Sequence, residues 1–392
     1  MDFTLSAEQE EFRQAVATLC RKFPESYWQQ VDKQKQYPDE FVRALTEGGW
    51  LAVLIPNEFG GAGLGMLEGC LVLEEINASG GNAAACHAQM YTMGALLRHG
   101  TQAQQRRYLP EIAAGRLRLQ SMAVTEPSAG SDTSRITTVA RREGDGWVVS
   151  GQKVYTSRLQ HSDLLILLAR TTPREDVAKK TDGMSLFLVD LRAAGASIEV
   201  QPIETMINHE TNALFIQDLR LPAEALVGNE GSGFRHLLDG LNAERILIAS
   251  QSVGDARWLI EKSVTYAKQR VVFGAPIGAN QGVQFPIARA FMHTQAASVM
   301  RFRAATQYDA GQPCGPAANT AKLLASEAAW EAAEVAMTTH GGSGLAVEVG
   351  VERKFREARL YLVAPVTNNL VMAYVAEHVL GLPRSYGTEV SA

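Results

Sequence analysis

Three rhythms of hydrophobic and polar positions succeed one another along the chain. Near the start, Phe12, Val16, Leu19, Cys20 and Phe23 recur at helical spacing behind Ser6 and Gln9, which are placed as a capping box. The spacing predicts an amphipathic opening helix. Pro38 suits the first turn of a second helix that stops at Gly48-Gly49, and Leu71 to Ile76 belong to another that ends near Gly80-Gly81. Thr101 and Gln104 repeat the capping-box pattern ahead of a helix running to Gly115. Residues 1–120 are therefore expected to form an N-terminal helical domain.

The period then shortens. Leu119 to Val124, Trp147 to Val149 behind the turn Gly144-Asp145-Gly146, Leu164 to Leu168, Leu186 to Val189, and Ala213 to Ile216 read as strands of a small central β-domain over residues 121–228. Helical periodicity returns from Gly233 to Asp309 and from Ala317 to Met337, with a last helix from Asn369 to Leu380, giving a helical domain over residues 229–392. The predicted class is α+β. No internal repeat or low-complexity segment interrupts it.

Composition narrows the function classes. With 46% hydrophobic and 20% charged residues the chain is an ordinary globular one, and 392 residues can bury a large core. A net charge of -5 argues against a nucleic-acid surface, which needs a clustered basic field. Cys20, Cys70, Cys86 and Cys314 lack CxxC spacing and read as buried free thiols. The acidic N-terminus lacks a signal peptide's basic region and apolar core, and no apolar run reaches membrane-spanning length. The expectation is no membrane association and a cytosolic protein, or a matrix protein whose presequence has been removed.

Several signatures are missing: GxGxxG after a strand, GxxxxGK[ST], and HExxH. The eight histidines, His87, His99, His161, His209, His236, His293, His340 and His378, show no ligand-like spacing, and surface or capping roles are expected for them. No metal site is expected.

The most informative stretch is Val124-Thr125-Glu126-Pro127-Ser128-Ala129-Gly130-Ser131-Asp132. Hydroxyls, a proline and small residues follow an apolar run, so backbone N–H groups and the Thr125 and Ser131 hydroxyls can converge on one acceptor-rich ligand. A plain strand-to-strand turn would use the same residue types. Arg270-Val271-Val272-Phe273-Gly274-Ala275-Pro276-Ile277, followed by Gln281, is a second candidate, because a guanidinium can grip a diphosphate bidentately; a solvated helix end is the simpler reading. His340-Gly341-Gly342-Ser343-Gly344 allows close backbone approach to a ligand, and serves a helix C-cap equally well.

Together with Asp2-Phe3, Pro56-Asn57-Glu58-Phe59-Gly60-Gly61, Tyr108-Leu109-Pro110 and Gly151-Gln152-Lys153, these segments resemble the acyl-CoA dehydrogenase family over nearly the whole chain and in the family's order. The resemblance implies a helical domain, a β-domain and a C-terminal four-helix bundle. It also implies FAD as cofactor, an acyl-CoA thioester as substrate, an electron-transfer flavoprotein as electron acceptor, and a homotetramer built as a dimer of dimers. Carried over, Met122, Val124, Thr125, Gly130 and Ser131 line one side of the flavin, and Tyr155 and Ser157 the other. Tyr155 stands where tryptophan or phenylalanine is common, and stacking survives that change. Arg270, Phe273 and Gln281 would reach the diphosphate and adenosine half from a neighbouring subunit. Thr338 (where glutamine is usual), Gly341, Gly342, Thr367 and Asn369 complete the implied cofactor set. Ser131, Leu241, Asn242 and Arg245 form the implied substrate set.

The reaction needs a carboxylate beside the thioester α-carbon. Many family members carry it in a loop after a segment similar to Arg356-Glu357-Ala358-Arg359-Leu360-Tyr361, and here that position is Pro365, which has neither a carboxylate nor an N–H. A branch similar to isovaleryl- and long-chain acyl-CoA dehydrogenases places the glutamate on a helix, before an arginine. Glu244-Arg245 matches it. Leu237, Gly240, Leu241, Leu247, Ile248 and Gln251 share the helix face of Glu244, where a lone carboxylate is costly unless paired or functional. A structural ion pair is the competing reading. An apolar setting would raise its pKa toward working pH and favour proton abstraction from carbon. The product would be a trans-2-enoyl-CoA. Competing functions are an oxygen-using oxidase or flavin monooxygenase of the same superfamily, and a silent structural subunit; the acyl chain is not specified. His209-Glu210-Thr211-Asn212 departs from the family's usual run, and either reshapes the pocket mouth or changes only a loop.

Overall fold

The computed structural model describes residues 4–385, so the Asp2-Phe3 pair lies outside the described residues. Six helices open the chain: α1 (Ala7–Cys20), α2 (Glu25–Lys33), α3 (Asp39–Glu47), α4 (Met66–Ala78), α5 (His87–His99) and α6 (Gln102–Ala113). Both expected capping boxes form. Ser6 Oγ accepts from Gln9 N at 3.2 Å while Gln9 Oε1 accepts from Ser6 N at 3.1 Å, and Thr101 and Gln104 make the same exchange at 3.2 and 2.8 Å. Helix α5 was not singled out by periodicity. Every residue from His87 to Leu96 is buried, so no apolar stripe distinguishes one face.

The strands are β1 (Leu119–Ala123), β2 (Val139–Glu143), β3 (Gly146–Ser157), β4 (Leu164–Arg170), β5 (Met184–Asp190), β6 (Ile198–Pro202), β7 (Thr211–Leu221) and β8 (Leu226–Val227), with a one-turn helix α7 (Leu191–Ala194) after β5. They make one sheet in the order β6-β7-β3-β2-β4-β5-β8, and β1 pairs parallel to β4 with Met122 opposite Ile166. All of β4 is buried, which explains its unbroken apolar run. Strand β2, Val-Ala-Arg-Arg-Glu, buries only Ala140, so its sequence gives almost no alternation to read.

The C-terminal part holds α8 (Gly233–Gln269), the short hairpin β9 (Val271–Val272) and β10 (Ala275–Pro276), α9 (Gln281–Asp309), α10 (Gly315–His340), α11 (Val351–Tyr361) and α12 (Asn368–Tyr374), which continues into a π turn, Val375–Val379. The single periodicity expected from Gly233 to Asp309 is in fact broken. Gly274, at φ +83°, turns the chain between two helices. Helices α8, α9 and α10 pack together with α4. Close approach depends on small residues: α10 buries Ala318, Ala321, Ala325, Ala329, Ala333 and Ala336, and a Cβ on Gly254 would stand 2.4 Å from the Glu74 carbonyl oxygen. The four cysteines are free and buried. No helix among the described residues is long and apolar enough to cross a membrane.

One buried ion pair ties the loop after β1 to the sheet. Glu126 accepts from Thr137 N at 2.6 Å, Thr138 N at 2.9 Å and Lys153 Nζ at 2.9 Å, and Lys153 also donates to the Val124 carbonyl at 3.0 Å. Burial alone would raise the Glu126 carboxyl, yet the Lys153 ammonium and the two threonine donors outweigh it and hold it at about 2. Because the folded value lies below the unfolded one, this contribution is present above about pH 4.5 and is lost as pH falls toward 2. Glu126→Gln leaves a buried ammonium without its counter-charge and should lower stability by about 3 kcal/mol at pH 7. Urea unfolding should show it, with the deficit shrinking toward pH 2.

Candidate functional site

A cavity of about 880 Å³ opens where β1, β3, α5 and the first half of α8 meet the segment between α11 and α12. It gathers Met122, Val124, Thr125, Gly130 and Ser131 from β1 and the loop after it, Tyr155 and Ser157 from β3, and Leu241, Glu244 and Arg245 from α8. Pro365 and Thr367 line it from the segment before α12. The expected residues from three regions therefore share one space.

Others do not reach it within this chain. Arg270 and Phe273 sit at the β9-β10 hairpin, with Phe273 fully exposed, and Gln281 starts α9. Thr338, Gly341 and Gly342 mark the end of α10, and Asn369 lies exposed in α12. Asn242 also lies off the cavity wall, but its Oδ1 accepts from Arg245 Nη1 at 3.0 Å. That contact fixes one nitrogen of the Arg245 guanidinium. No carboxylate lies within ion-pair distance of Arg245 among the described residues, and its Nε is buried without a partner.

The loop and β3 present groups suited to a flat, acceptor-rich ring system. The Thr125 and Ser131 hydroxyls make no hydrogen bond among the described residues, and a Cβ on Gly130 would meet open space. Ser157 Oγ accepts from Asn208 Nδ2 at 2.8 Å and keeps its own proton to donate. Tyr155 is 67% exposed beside these donors at φ +56°, which leaves its ring free to stack. A flavin fits this set of donors and aromatic surface.

Glu244 is 6% exposed, and its Oε2 is buried with no hydrogen-bond partner among the described residues. Burial pushes the carboxyl up to about 7, against the opposing influence of the Tyr91 hydroxyl and the Arg245 and Arg158 charges. No cation lies within ion-pair distance of Glu244 among the described residues. The segment sharing the wall with it is fixed from behind. Lys322 Nζ donates to the Val366 carbonyl at 2.6 Å and to Asn368 Oδ1 at 2.7 Å, and burial brings this ammonium down to about 8.

Sequence reasoning missed several wall residues. Arg158 directly follows β3 in left-handed backbone at φ 61°, and His87 and Tyr91 face the cavity from the buried helix α5. His87 is also a correction, since a surface or capping role was expected: burial first, and the Arg158 charge second, bring it down to about 3. His236 and His340 are buried as well. The divergent run at 209–212 does reach the site through Thr211, while His209 Nε2 lies 3.4 Å from Asp32 Oδ1.

Comparison with known proteins shows the family. The acyl-CoA dehydrogenase N-terminal, middle and C-terminal domain models match residues 6–116, 121–219 and 231–380. The chain is 37% identical to acyl-CoA dehydrogenase fadE12 of Mycobacterium bovis, over 98% of this chain and 99% of that one. It is 33% identical to the mitochondrial short-chain specific acyl-CoA dehydrogenase of Bos taurus, over 97% and 93%. The glutaryl-coenzyme A dehydrogenase structure with glutaryl-CoA superposes with a TM-score of 0.91 at 29% identity, covering 98% of each chain. The chain belongs to the acyl-CoA dehydrogenase family, a family of FAD-dependent oxidoreductases.

Proposed function

We propose that this chain removes two hydrogens across the α,β bond of an acyl-CoA thioester, with Glu244 as the base, and that the electrons pass to an electron-transfer flavoprotein. The observation that carries the reading is a buried carboxylate with a free oxygen on the cavity wall, raised to about 7. FAD, when bound, supplies the two-electron acceptor. Everything else is done by side chains. Thr125, Ser131 and Ser157 hold and orient the ring system by hydrogen bonding, and Tyr155 covers it. Glu244 takes the proton from the α-carbon as the β-hydride leaves, giving a trans-2-enoyl-CoA. A carboxylate whose proton affinity is raised by burial is a stronger base than one in water, and an apolar wall keeps water from competing for it.

Pro365 supports this assignment from the other side. It offers no carboxylate and no N–H where it lines the cavity, so Glu244 is the acidic residue of the wall positioned for the step. Because Arg270, Phe273 and Gln281 lie away from this chain's cavity, a homotetramer in which each FAD is also gripped by a neighbouring subunit accounts for their motif.

Three outcomes are expected. Glu244→Gln should slow flavin bleaching by acyl-CoA by roughly 10²- to 10⁴-fold in stopped flow, and the wild-type rate should climb as pH passes through about 7. Unchanged bleaching would sink the assignment, and peroxide release in the absence of any acceptor protein would favour an oxidase instead. The same variant should gain stability at high pH. The folded carboxyl stays protonated until about 7 whereas the unfolded one ionises near 4.5, so wild-type stability falls over that window. Glu244→Gln should thus be more stable by up to about 3 kcal/mol at pH 8 and level with wild type below pH 4. Finally, Arg270→Ala should release FAD on dilution, read as lost flavin absorbance after gel filtration; full retention would mean that one chain's cavity suffices.

A further inference from the structure

Most buried cations in this protein have an evident counter-charge. Lys153 has Glu126, Lys354 has Asp255, Arg353 has Glu357 and Arg301 has Glu74. Two others are satisfied by neutral oxygens: Arg170 donates to the carbonyls of Ser134, Ile136, Lys180 and Asp182, and Lys322 to Val366 and Asn368. Arg158 and Arg245, both on the cavity wall, have neither arrangement, and Arg245 directly follows the proposed base on α8, which leaves Arg158 as the unpaired cation away from that helix. Only 4% exposed, it makes one side-chain hydrogen bond, from Nη1 to Asn208 Oδ1 at 3.0 Å. Its Nε is buried without a partner, and no carboxylate lies within ion-pair distance among the described residues. A guanidinium carries five donors, and burying it unpaired is costly.

The position is built, because the backbone of Arg158 is pinned from both sides. Its N–H donates to the Glu210 carbonyl at 2.8 Å, and its carbonyl accepts from His161 N at 3.1 Å and Ser162 Oγ at 2.9 Å. The left-handed conformation, φ 61° and ψ 27°, is one in which a long side chain is uncommon. The side chain lines the same cavity as Glu244, and its charge acts on His87 and Tyr91 as well as on Glu244. His87 is held by the Ala84 carbonyl through Nδ1, at 3.3 Å. Leu237, Leu241 and Ile248 line the same cavity, and Glu244, its only acidic wall residue among the described residues, is assigned to the α-proton in the proposal above.

We propose that Arg158 is the specificity residue of this cavity and that its counter-charge arrives with the substrate, as a carboxylate at the far end of the acyl chain. This rests on the acyl-CoA reading above and names its substrate class: the thioester of a dicarboxylic acid, one end on coenzyme A and the other on Arg158, with the bond to be oxidised beside Glu244.

The test separates this claim from the identity of the base by measuring binding rather than turnover. Two S-alkyl-CoA thioethers of equal length, one ending in a carboxylate and one in a methyl group, have no thioester and cannot be oxidised whichever residue is the base. Calorimetry on the FAD-loaded protein should show the carboxylate-ended probe binding roughly 10- to 100-fold more tightly, the range of a charge-assisted hydrogen-bonded pair. In Arg158→Asn, a residue that tolerates left-handed backbone, the ratio should fall to about one. Arg158→Lys should restore part of it. Equal wild-type affinities for the two probes overturn the proposal, as does a ratio that survives in Arg158→Asn. Loss of FAD from Arg158→Asn and Arg158→Lys with the ratio unchanged in the remaining holoprotein places the arginine on the cofactor, and also overturns it. A positive binding ratio beside unimpaired bleaching in Glu244→Gln would retain the substrate class and discard only the base.

Discussion

The site depends first on the buried pair between Lys153 and Glu126. Lys153 belongs to β3 and Glu126 to the loop leaving β1, so the pair joins the two backbone segments that supply the cavity residues of the β-domain named above other than Thr211 of β7. On one side lie Thr125, Gly130 and Ser131; on the other lie Tyr155, Ser157 and Arg158. Both charges are almost wholly buried, which makes the pair poor as a source of net stability but demanding in geometry. Its partners are also backbone groups: Thr137 N, Thr138 N and the Val124 carbonyl. A shift of the loop would break several charge-assisted hydrogen bonds together. That is how a loop of small and hydroxyl-bearing residues, with little apolar surface of its own, can hold fixed donors toward a ligand.

The second fixed element is α8. Its 37 residues span about 55 Å, and its burial changes along its length. From Ala243 to Ala256 every residue is buried, and the close crossing with α4 at Gly254 prevents this stretch from moving outward. Glu244 lies at the start of the buried stretch, where the helix leaves the core and meets the cavity. Burial and access to ligand therefore coincide at that turn. The same packing that stabilises the helix destabilises the ionised carboxylate, so the proton affinity of Glu244 is a consequence of how α4 and α5 cover α8.

How much of this was legible in the sequence follows from what each residue's neighbours are. Capping boxes are local, within four residues, and both formed as read. The run Leu164 to Leu168 could be read because a strand buried on both faces has no polar positions to confuse it. Glu244 stood out because its i±3 and i±4 neighbours are apolar, and that contrast survives folding. Helix α5 was hidden for the opposite reason: His87, Gln89, Tyr91 and Thr92 are buried by packing against other elements, which no local period records. Arg158 was passed over because its only sequence signal is a cation after Ser157, and its isolation from any carboxylate exists only in three dimensions. The break at Arg270 to Asn280 was legible as a motif but not as an interruption, since apolar positions continue at helical spacing across it.

Pro365 and Lys322 together bear on the proposal that the base is carried by a helix. The segment before α12 is held by its carbonyl at Val366 and by Asn368, both bonded to the buried Lys322 ammonium. With proline at 365 it has one N–H fewer and no side-chain acid, so it serves as a rigid apolar wall. A carboxylate placed on that segment would add negative charge beside an ammonium whose proton affinity is already lowered by burial, and would compete with Val366 and Asn368 for its donors. On α8 the carboxylate avoids that competition. It stays unpaired and basic, and the wall opposite is left to the backbone geometry that Lys322 sets.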